Sequence, residues 1–316
     1  MNLQTRIPIF QQTSCPIDYH SKIFLLGSCF SENIGDKLTY CKFQSAQNPF
    51  GILFHPKAIE TLISRAINEK FFTEKEVFFF NERWHCFDTH SQLSSISKES
   101  ILEKINTELV TTKKHLKRSS HIIMTLGTSW VYRLKESNAI VANCHKIPQH
   151  QFAKELLSIN QISASLKSMV SLIKKINPSI NIIFTISPVR HLKDGFVENQ
   201  LSKSNLISAV HNVRKIEEKI FYFPSYEIMM DELRDYRFYK QDMIHPNTMA
   251  VDYIWEKFSE SWISNKALIV SQQIMKIQKS LEHKPFNPES KEHLTFLESV
   301  QKQIKKVQEK YPNISF

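Results

Sequence analysis

A hydroxyl at Ser28 and, three residues apart, the carboxylate of Asp242 and the imidazole of His245 are the side chains of this chain best suited to covalent chemistry. Ser28 stands in Leu25-Leu26-Gly27-Ser28-Cys29-Phe30-Ser31-Glu32, where an apolar run ends in Gly-Ser and a helix-opening stretch follows. That order reads as buried strand, sharp turn and helix N-terminus. Backbone N–H groups and the positive end of a helix dipole meet at such a turn, which suits an oxyanion. A serine hydroxyl attacks only when a base takes its proton. Histidine usually serves, with a carboxylate on its other ring nitrogen. Asp242-Met243-Ile244-His245-Pro246-Asn247 supplies both groups in one loop ahead of a helix. Ser28 therefore reads as nucleophile, His245 as general base and Asp242 as its orienting partner. The plainer alternative makes Ser28 a helix cap and nothing more. Cys29 offers a thiol next door. Directly after the turn it is expected to project away from its neighbour's site, so Ser28 is preferred.

Other polar groups fall near the ends of apolar segments. Arg190 and His191 follow one such segment in Ser187-Pro188-Val189-Arg190-His191, and His145 lies in Asn143-Cys144-His145-Lys146-Ile147-Pro148. The forked donors of Arg190 suit a substrate carboxylate or phosphate. His145, Arg190 and His191 are the candidate substrate-binding residues, against the plain alternative of an ion pair and satisfied histidines. His85, Cys86, His90, Cys144 and His145 suggest a metal site at first sight. Adjacent residues on a strand face opposite ways, and no C-x-x-C or H-E-x-x-H occurs, so no metal is expected. No glycine-rich phosphate loop is present, and no cofactor is expected.

These residues need elements to bring them together. Apolar strands are predicted at Lys22–Gly27, Lys42–Ala46, His121–Leu126, Asn181–Ile186 and Ile220–Phe223. Helices are predicted at Ser31–Leu38, His55–Ile67, Ile101–Leu116, Ser204–Lys219 and Ala250–Ser264, with one or two more in Gln151–Ile176. Val77–Phe80 with Trp84–Phe87, and Val131–Leu134 with Ala139–Ala142, read as hairpin insertions. Asn48-Pro49-Phe50-Gly51 is a turn by composition. Strands alternating with helices imply a parallel sheet covered on both faces, a three-layer α/β/α sandwich. Ligands bind beyond the carboxyl ends of such strands. Gly27-Ser28, Gly127-Thr128-Ser129 and Ser187 to His191 all belong at that rim. From about Leu268 the chain turns into charged helical segments, Ile274–Lys284 and Lys291–Lys310. The expected division is an α/β domain over 1–264 and a helical C-terminal tail over 265–316, packed on the domain or paired with another chain.

Composition narrows the function classes. The 316 residues are 41% hydrophobic, enough for a sizeable core. Lys+Arg 41 against Asp+Glu 31 leaves a net charge of +10. The densest basic group, Lys113, Lys114, Lys117 and Arg118, reads as a solvated helix face, so no specific nucleic-acid partner is expected. Five cysteines without regular spacing are no disulfide framework and fit a reducing compartment. Met1–Phe10 does not read as a signal peptide, and no apolar stretch is long enough for a membrane span. The expectation is a cytoplasmic protein with no membrane partner. Its oligomeric state is not legible.

Gly27-Ser28-Cys29-Phe30 with Ser31 and Glu32 resembles the signature of the GSCFA-domain family, a branch of the SGNH or GDSL hydrolases. Asn48 to Gly51, Leu126 to Trp130, Asn143 to Pro148, Ser187 to His191 and Asp242 to Asn247 match in the same order, so the resemblance spans Leu25 to about Trp262. It implies a flavodoxin-like parallel sheet and a Ser28-His245-Asp242 triad. It also implies oxyanion donors from the Ser28 N–H, Gly51, and Thr128 or Ser129. These last two stand where the wider pattern has an asparagine. The implied activity is ester hydrolysis, with a small-molecule or glycan acyl ester as partner, such as an acetylated sugar. The alternatives are an O-acyltransferase on the same triad and a non-catalytic protein binding an anion or glycan at the same rim.

Overall fold

The structure is a computed structural model and describes residues 5–316; the first four residues of the N-terminal stretch read above lie outside the described residues. In chain order the strands are β1 (Lys22–Gly27), β2 (Gln44–Gln47), β3 (Val77–Phe80), β4 (Arg83–Cys86), β5 (His121–Leu126), β6 (Trp130–Leu134), β7 (Ile140–Val141), β8 (Phe152–Leu156), β9 (Asn181–Ile186) and β10 (Ile220–Phe223). The helices are α1 (Cys29–Tyr40), α2 (Pro56–Ile67), α3 (Lys98–Arg118), α4 (Ile159–Ile176), α5 (Phe196–Arg214), the short α6 (Ser225–Glu227), α7 (Thr248–Trp262), α8 (Asn265–Glu282) and α9 (Lys291–Lys310).

Five parallel strands form the central sheet in the order β10-β9-β5-β1-β2. Counting only these five along the chain, the order is 2-1-3-4-5, the flavodoxin-like arrangement. Strand order reverses between β1 and β5, and a crevice opens beyond their carboxyl ends. The expected three-layer α/β/α sandwich is the observed fold. Period-two alternation along β1 shows why. Phe24 and Leu26 join one core with α2, α3, α4 and α5, while Ile23 and Leu25 join another with α1, α7, α8 and α9. Both faces of the sheet are covered, so its inner strands need near-continuous apolar sequence.

The C-terminal helices lie on the second of these cores. Ile274, Ile277, Val300, Ile304 and Val307 are buried together with Phe30, Ile34 and Leu38 of α1. Residues 265–316 thus share a hydrophobic core with the sandwich.

Three segments depart from the sequence reading, among them α8, which begins at Asn265, nine residues before the expected Ile274. Residues 152–156, expected to be helical, form β8, the third strand of a sheet ordered β7-β6-β8. Their Ala-Lys-Glu-Leu composition favours helix, but pairing with β6 wins. Arg133 donates two hydrogen bonds to Glu155, at 2.7 and 2.9 Å, across that ladder. Helix α5 begins at Phe196, eight residues before the expected Ser204, and ends at Arg214. It is entered through Gly195 at φ +111° rather than through a side-chain cap.

Gly27 ends β1 at φ +131°, and a Cβ there would sit 2.1 Å from the Thr125 carbonyl oxygen of β5. Its N–H donates to Asn48 Oδ1 at 2.9 Å, and its carbonyl accepts from Leu53 N at 2.9 Å. Gly27→Ala is therefore expected to destabilise the protein by at least about 3 kcal/mol, through strain and overpacking together. Urea denaturation followed by circular dichroism checks this, and an unchanged midpoint would contradict it.

Candidate active site

Asp242 and His245 lie in the loop before α7. Asp242 Oδ1 accepts the N–H groups of Ile244 and His245, at 2.9 and 3.0 Å, while Oδ2 stands 2.7 Å from His245 Nδ1. These backbone bonds, with the imidazole adding to them, hold the Asp242 carboxyl well below the usual carboxylate range. An ionised carboxylate only accepts, so Nδ1 carries the proton and Nε2 keeps its lone pair, the tautomer a base needs.

Arg190 braces the same loop. Its N–H donates to the Ile244 carbonyl at 3.1 Å, its guanidinium donates to the Met243 carbonyl, and that plane lies 4.2 Å from the centre of the Tyr239 ring. One guanidinium N–H of the expected anion-binding fork is spent on the loop that carries His245, while Arg190 lines the cavity and its Nε is buried without a partner among the described residues.

A cavity of about 760 Å³ opens at the rim. Cys29, Thr128, Arg190, His191 and His245 line it from below, and Trp130, Tyr132 and residues 141–149 line it from above. The second insertion, β6 to β8, is thus the roof. The first, β3 and β4, does not line the cavity and stands behind it.

Ser28 is not among the lining residues. It is fully buried, and its Oγ accepts the N–H of Phe30 at 3.3 Å, capping α1. Its own N–H donates to the Thr125 carbonyl at 3.0 Å, so that group is unavailable to an oxyanion. The structure corrects the expectation for both residues of this pair. Side chains at a helix start lean toward its N-terminus, which carries Cys29 to the cavity, whereas a cap residue folds its hydroxyl back under the first turn.

The other expected oxyanion donors are also committed. Gly51 N–H donates to Asn48 O at 2.8 Å, and Thr128 N–H to Phe54 O at 3.0 Å. Ser129 is fully buried; its N–H donates to Ser202 Oγ at 2.8 Å and its hydroxyl to Ser202 O at 3.1 Å. Thr128 Oγ1 accepts from Trp130 N and pairs with Ser202 Oγ, both at 3.0 Å. Gly51, Thr128 and Ser129 are scaffold. The Cys29 N–H, first in α1, has no backbone acceptor among the described residues.

Sequence reasoning missed the inner face of α5. Asn199 Oδ1 accepts the His191 N–H at 2.8 Å, Ser202 holds the turn after β5, and Lys203 lies wholly buried beneath the rim. Lys203 Nζ donates to the carbonyls of Gly127 (2.7 Å) and Ser187 (2.8 Å), and burial pushes its pKa down to about 7. The available signal was spacing. Lys203 shares a helical stripe with Leu206, Val210 and Val213, all buried.

The histidines divide. His145 is satisfied on both nitrogens, with Nε2 2.7 Å from Cys86 O and Nδ1 3.4 Å from Ser91 Oγ. The residue lines the cavity, but both ring nitrogens are committed to the protein rather than free for the expected substrate contact. His191 Nε2 is buried without a hydrogen-bond partner among the described residues and lines the cavity as expected. Burial, with Lys203 and His245 adding to it, pushes His191 down to about 3. His55 caps α2 through Nδ1 and bonds Val141 O through Nε2 at 3.0 Å. Among the described residues no group of three or more His, Cys, Asp or Glu is placed to hold a metal ion.

With this geometry in view, the comparisons with known proteins are specific. The model of the GSCFA family matches residues 22–258, and that of the GSCFA domain protein, C-terminal domain, matches residues 274–316. The chain belongs to the GSCFA family. No curated protein matches it. Among solved structures, the crystal structure of a carbohydrate esterase family 3 from Talaromyces cellulolyticus is similar at a TM-score of 0.38 and 8% identity, over 80% of this chain and 98% of that one. No helix among the described residues is long and apolar enough to cross a membrane.

Burial pushes His55 and His145 down to about 4, against an ordinary value of 6.5. The unfolded chain takes up these protons first as pH falls. Stability is therefore full above pH 6.5 and is lost as pH falls toward 4. Denaturation midpoints measured from pH 7.5 to 4.5 are expected to fall more steeply than one proton allows, about 1.4 kcal/mol per pH unit. His145→Asn is expected to remove about one proton's worth of that slope. Lys203 acts at the other end. Its folded value is depressed, so it makes stability rise with pH from about 7 to about 9, above which Cys41, Cys86 and Cys144, pushed up by burial from an ordinary 9.0, oppose it. Lys203→Met is expected to abolish that rise.

Proposed function

We propose that this protein cleaves or transfers an acyl group held in ester linkage, with His245 as general base and Asp242 as its orienting partner. The observation that carries the reading is the Asp242–His245 pair, fixed at 2.7 Å, with His245 lining the same cavity as Cys29 at the start of α1. A nucleophile from the β1–α1 turn would give its proton to His245 Nε2 and attack the acyl carbonyl. The helix N-terminus would stabilise the developing oxyanion, with the Cys29 N–H, which faces its own Sγ, as a donor there. His245 would return the proton to the departing alkoxide. Water or an acceptor hydroxyl, activated by the same ring, would then release the acyl group. Hydrolysis and transfer use identical groups and differ only in the acceptor.

The cavity suits an O-acylated sugar. Trp130, Tyr132 and Phe54 offer aromatic faces, and Asn143, Lys193 and Asp194 offer polar edges. A non-catalytic anion binder fits less well, because one guanidinium N–H of Arg190 is spent on the Met243 carbonyl. All five cysteines are free, which fits a reducing, cytoplasmic setting.

Turnover of p-nitrophenyl acetate and of acetylated mono- and oligosaccharides tests the reading. His245→Ala is expected to lower kcat/KM by about 10²–10⁴. Asp242→Asn is expected to lower it comparably, by favouring the wrong tautomer. Arg190→Lys is expected to lower kcat with little change in KM, since it displaces the base rather than substrate. Wild-type rates equal to those of His245→Ala across the panel would overturn the proposal.

A further inference from the structure

The reading above leaves the attacking atom open between two neighbours, and the structure separates them. We propose that Cys29, not Ser28, is the nucleophile, so that the acyl group passes through a thioester on Cys29 Sγ. This rests on the acyl-transfer reading and specifies its covalent step.

Three observations lead to it. Ser28 has no exposed surface, its hydroxyl is used to cap α1, and it does not line the cavity. Cys29 lines that cavity together with His245 and is only half-buried. Cys29 is also the first residue of α1, where the helix dipole and its own backbone N–H, which faces Sγ, favour negative charge and so a developing oxyanion. The charge around it sets the resting state. Burial raises the Cys29 pKa and Glu32 adds to this, while Lys203 and Lys240 pull the other way. The resting group is therefore a thiol that needs a base, and His245 lines the same cavity. His191 Nε2, buried and unpartnered there, gives the cavity a polar site of its own for a bound acyl ester.

The step balances without any further reagent. The Cys29 S–H proton moves to His245 Nε2 as the S–C bond forms to the acyl carbon. The ester C–O bond breaks, and the departing alkoxide takes that proton from His245. Water or an acceptor hydroxyl then loses a proton to His245 and attacks the thioester. The C–S bond breaks, and the thiolate recovers its proton from His245. Atoms and charge return to the starting state.

The experiment pairs acyl trapping with alkylation. Wild type, Ser28→Ala, Cys29→Ala and Cys29→Ser, each checked for folding by circular dichroism, are assayed on p-nitrophenyl acetate, quenched in acid and mapped by mass spectrometry. The expected result is an acetyl group on Cys29, removed by neutral hydroxylamine. Turnover falls at least 100-fold in Cys29→Ala and stays within about five-fold of wild type in Ser28→Ala. An acetyl group on Ser28, or full turnover in folded Cys29→Ala, overturns the proposal while leaving acyl transfer standing. Iodoacetamide alkylation needs no ester and so separates the two failures. Cys29 is expected to react at least ten-fold faster than Cys15 and Cys144, and to lose that advantage in His245→Ala. If no ester is turned over but this reactivity is present, the acyl-transfer reading falls and the Cys29–His245 pair stands. If Cys29 reacts no faster than Cys15 and Cys144, the pair falls too.

Discussion

One buried ammonium ties the rim together. Parallel strands β5 and β9 make their last ladder contact where Ser187 N–H meets Leu126 O at 2.8 Å. One residue further on, the carbonyls of Gly127 and Ser187 would be left without partners. Lys203 Nζ satisfies both from beneath. Burying a lysine is costly unless its protons are used, and here two are used on strand-end carbonyls that would otherwise be orphaned. The dependence runs outward from there. Ser187 leads into Arg190, Arg190 holds the carbonyls of Met243 and Ile244, and those residues carry His245. Asn199 and Ser202, on the same face of α5, fix His191 and the turn after β5. A helix that touches no substrate thus sets the position of most groups that would.

The polar atoms of the rim fall into two sets. Ser28, Gly51, Ser129 and His145 are saturated by protein partners, and their bonds hold the turns in shape. Arg190 Nε and His191 Nε2 are buried without a partner among the described residues, and both residues line the cavity together with Cys29 and the partly exposed His245. Buried polar atoms without partners are rare in native proteins. Two of them here stand on adjacent residues lining one cavity.

The layered fold was legible because its signals are long and periodic. Apolar strands of four to six residues alternate with amphipathic helices, and only a parallel sheet covered on both faces uses such strands. Asp242 and His245 were legible because they are close in sequence and their contact is local. What could not be read depends on long-range pairing or on side-chain direction. Strand β8 looks helical until β6 lies beside it. Lys203 is a polar residue on an apolar stripe, and its two carbonyl partners come from strands 76 and 16 residues away. Ser28 and Cys29 are adjacent, and the difference between cap and first helical residue decides which of them faces the cavity. A motif names the turn but not that rotation.

Helix α1 carries Cys29 at one end, while its buried side rests on α7, α8 and α9. At its far end Gln278 of α8 reaches the Tyr40 carbonyl, and Lys37 pairs with Asp252 of α7. Its 12 residues make a lever about 18 Å long. A tilt of about 3° at the supported end would swing the tip by about 1 Å, a displacement able to cost about 10² in rate. Substitutions in the last fifty residues, remote from any chemistry, therefore have a mechanical route to the reacting atoms: they change the aim of the barrel rather than the charge.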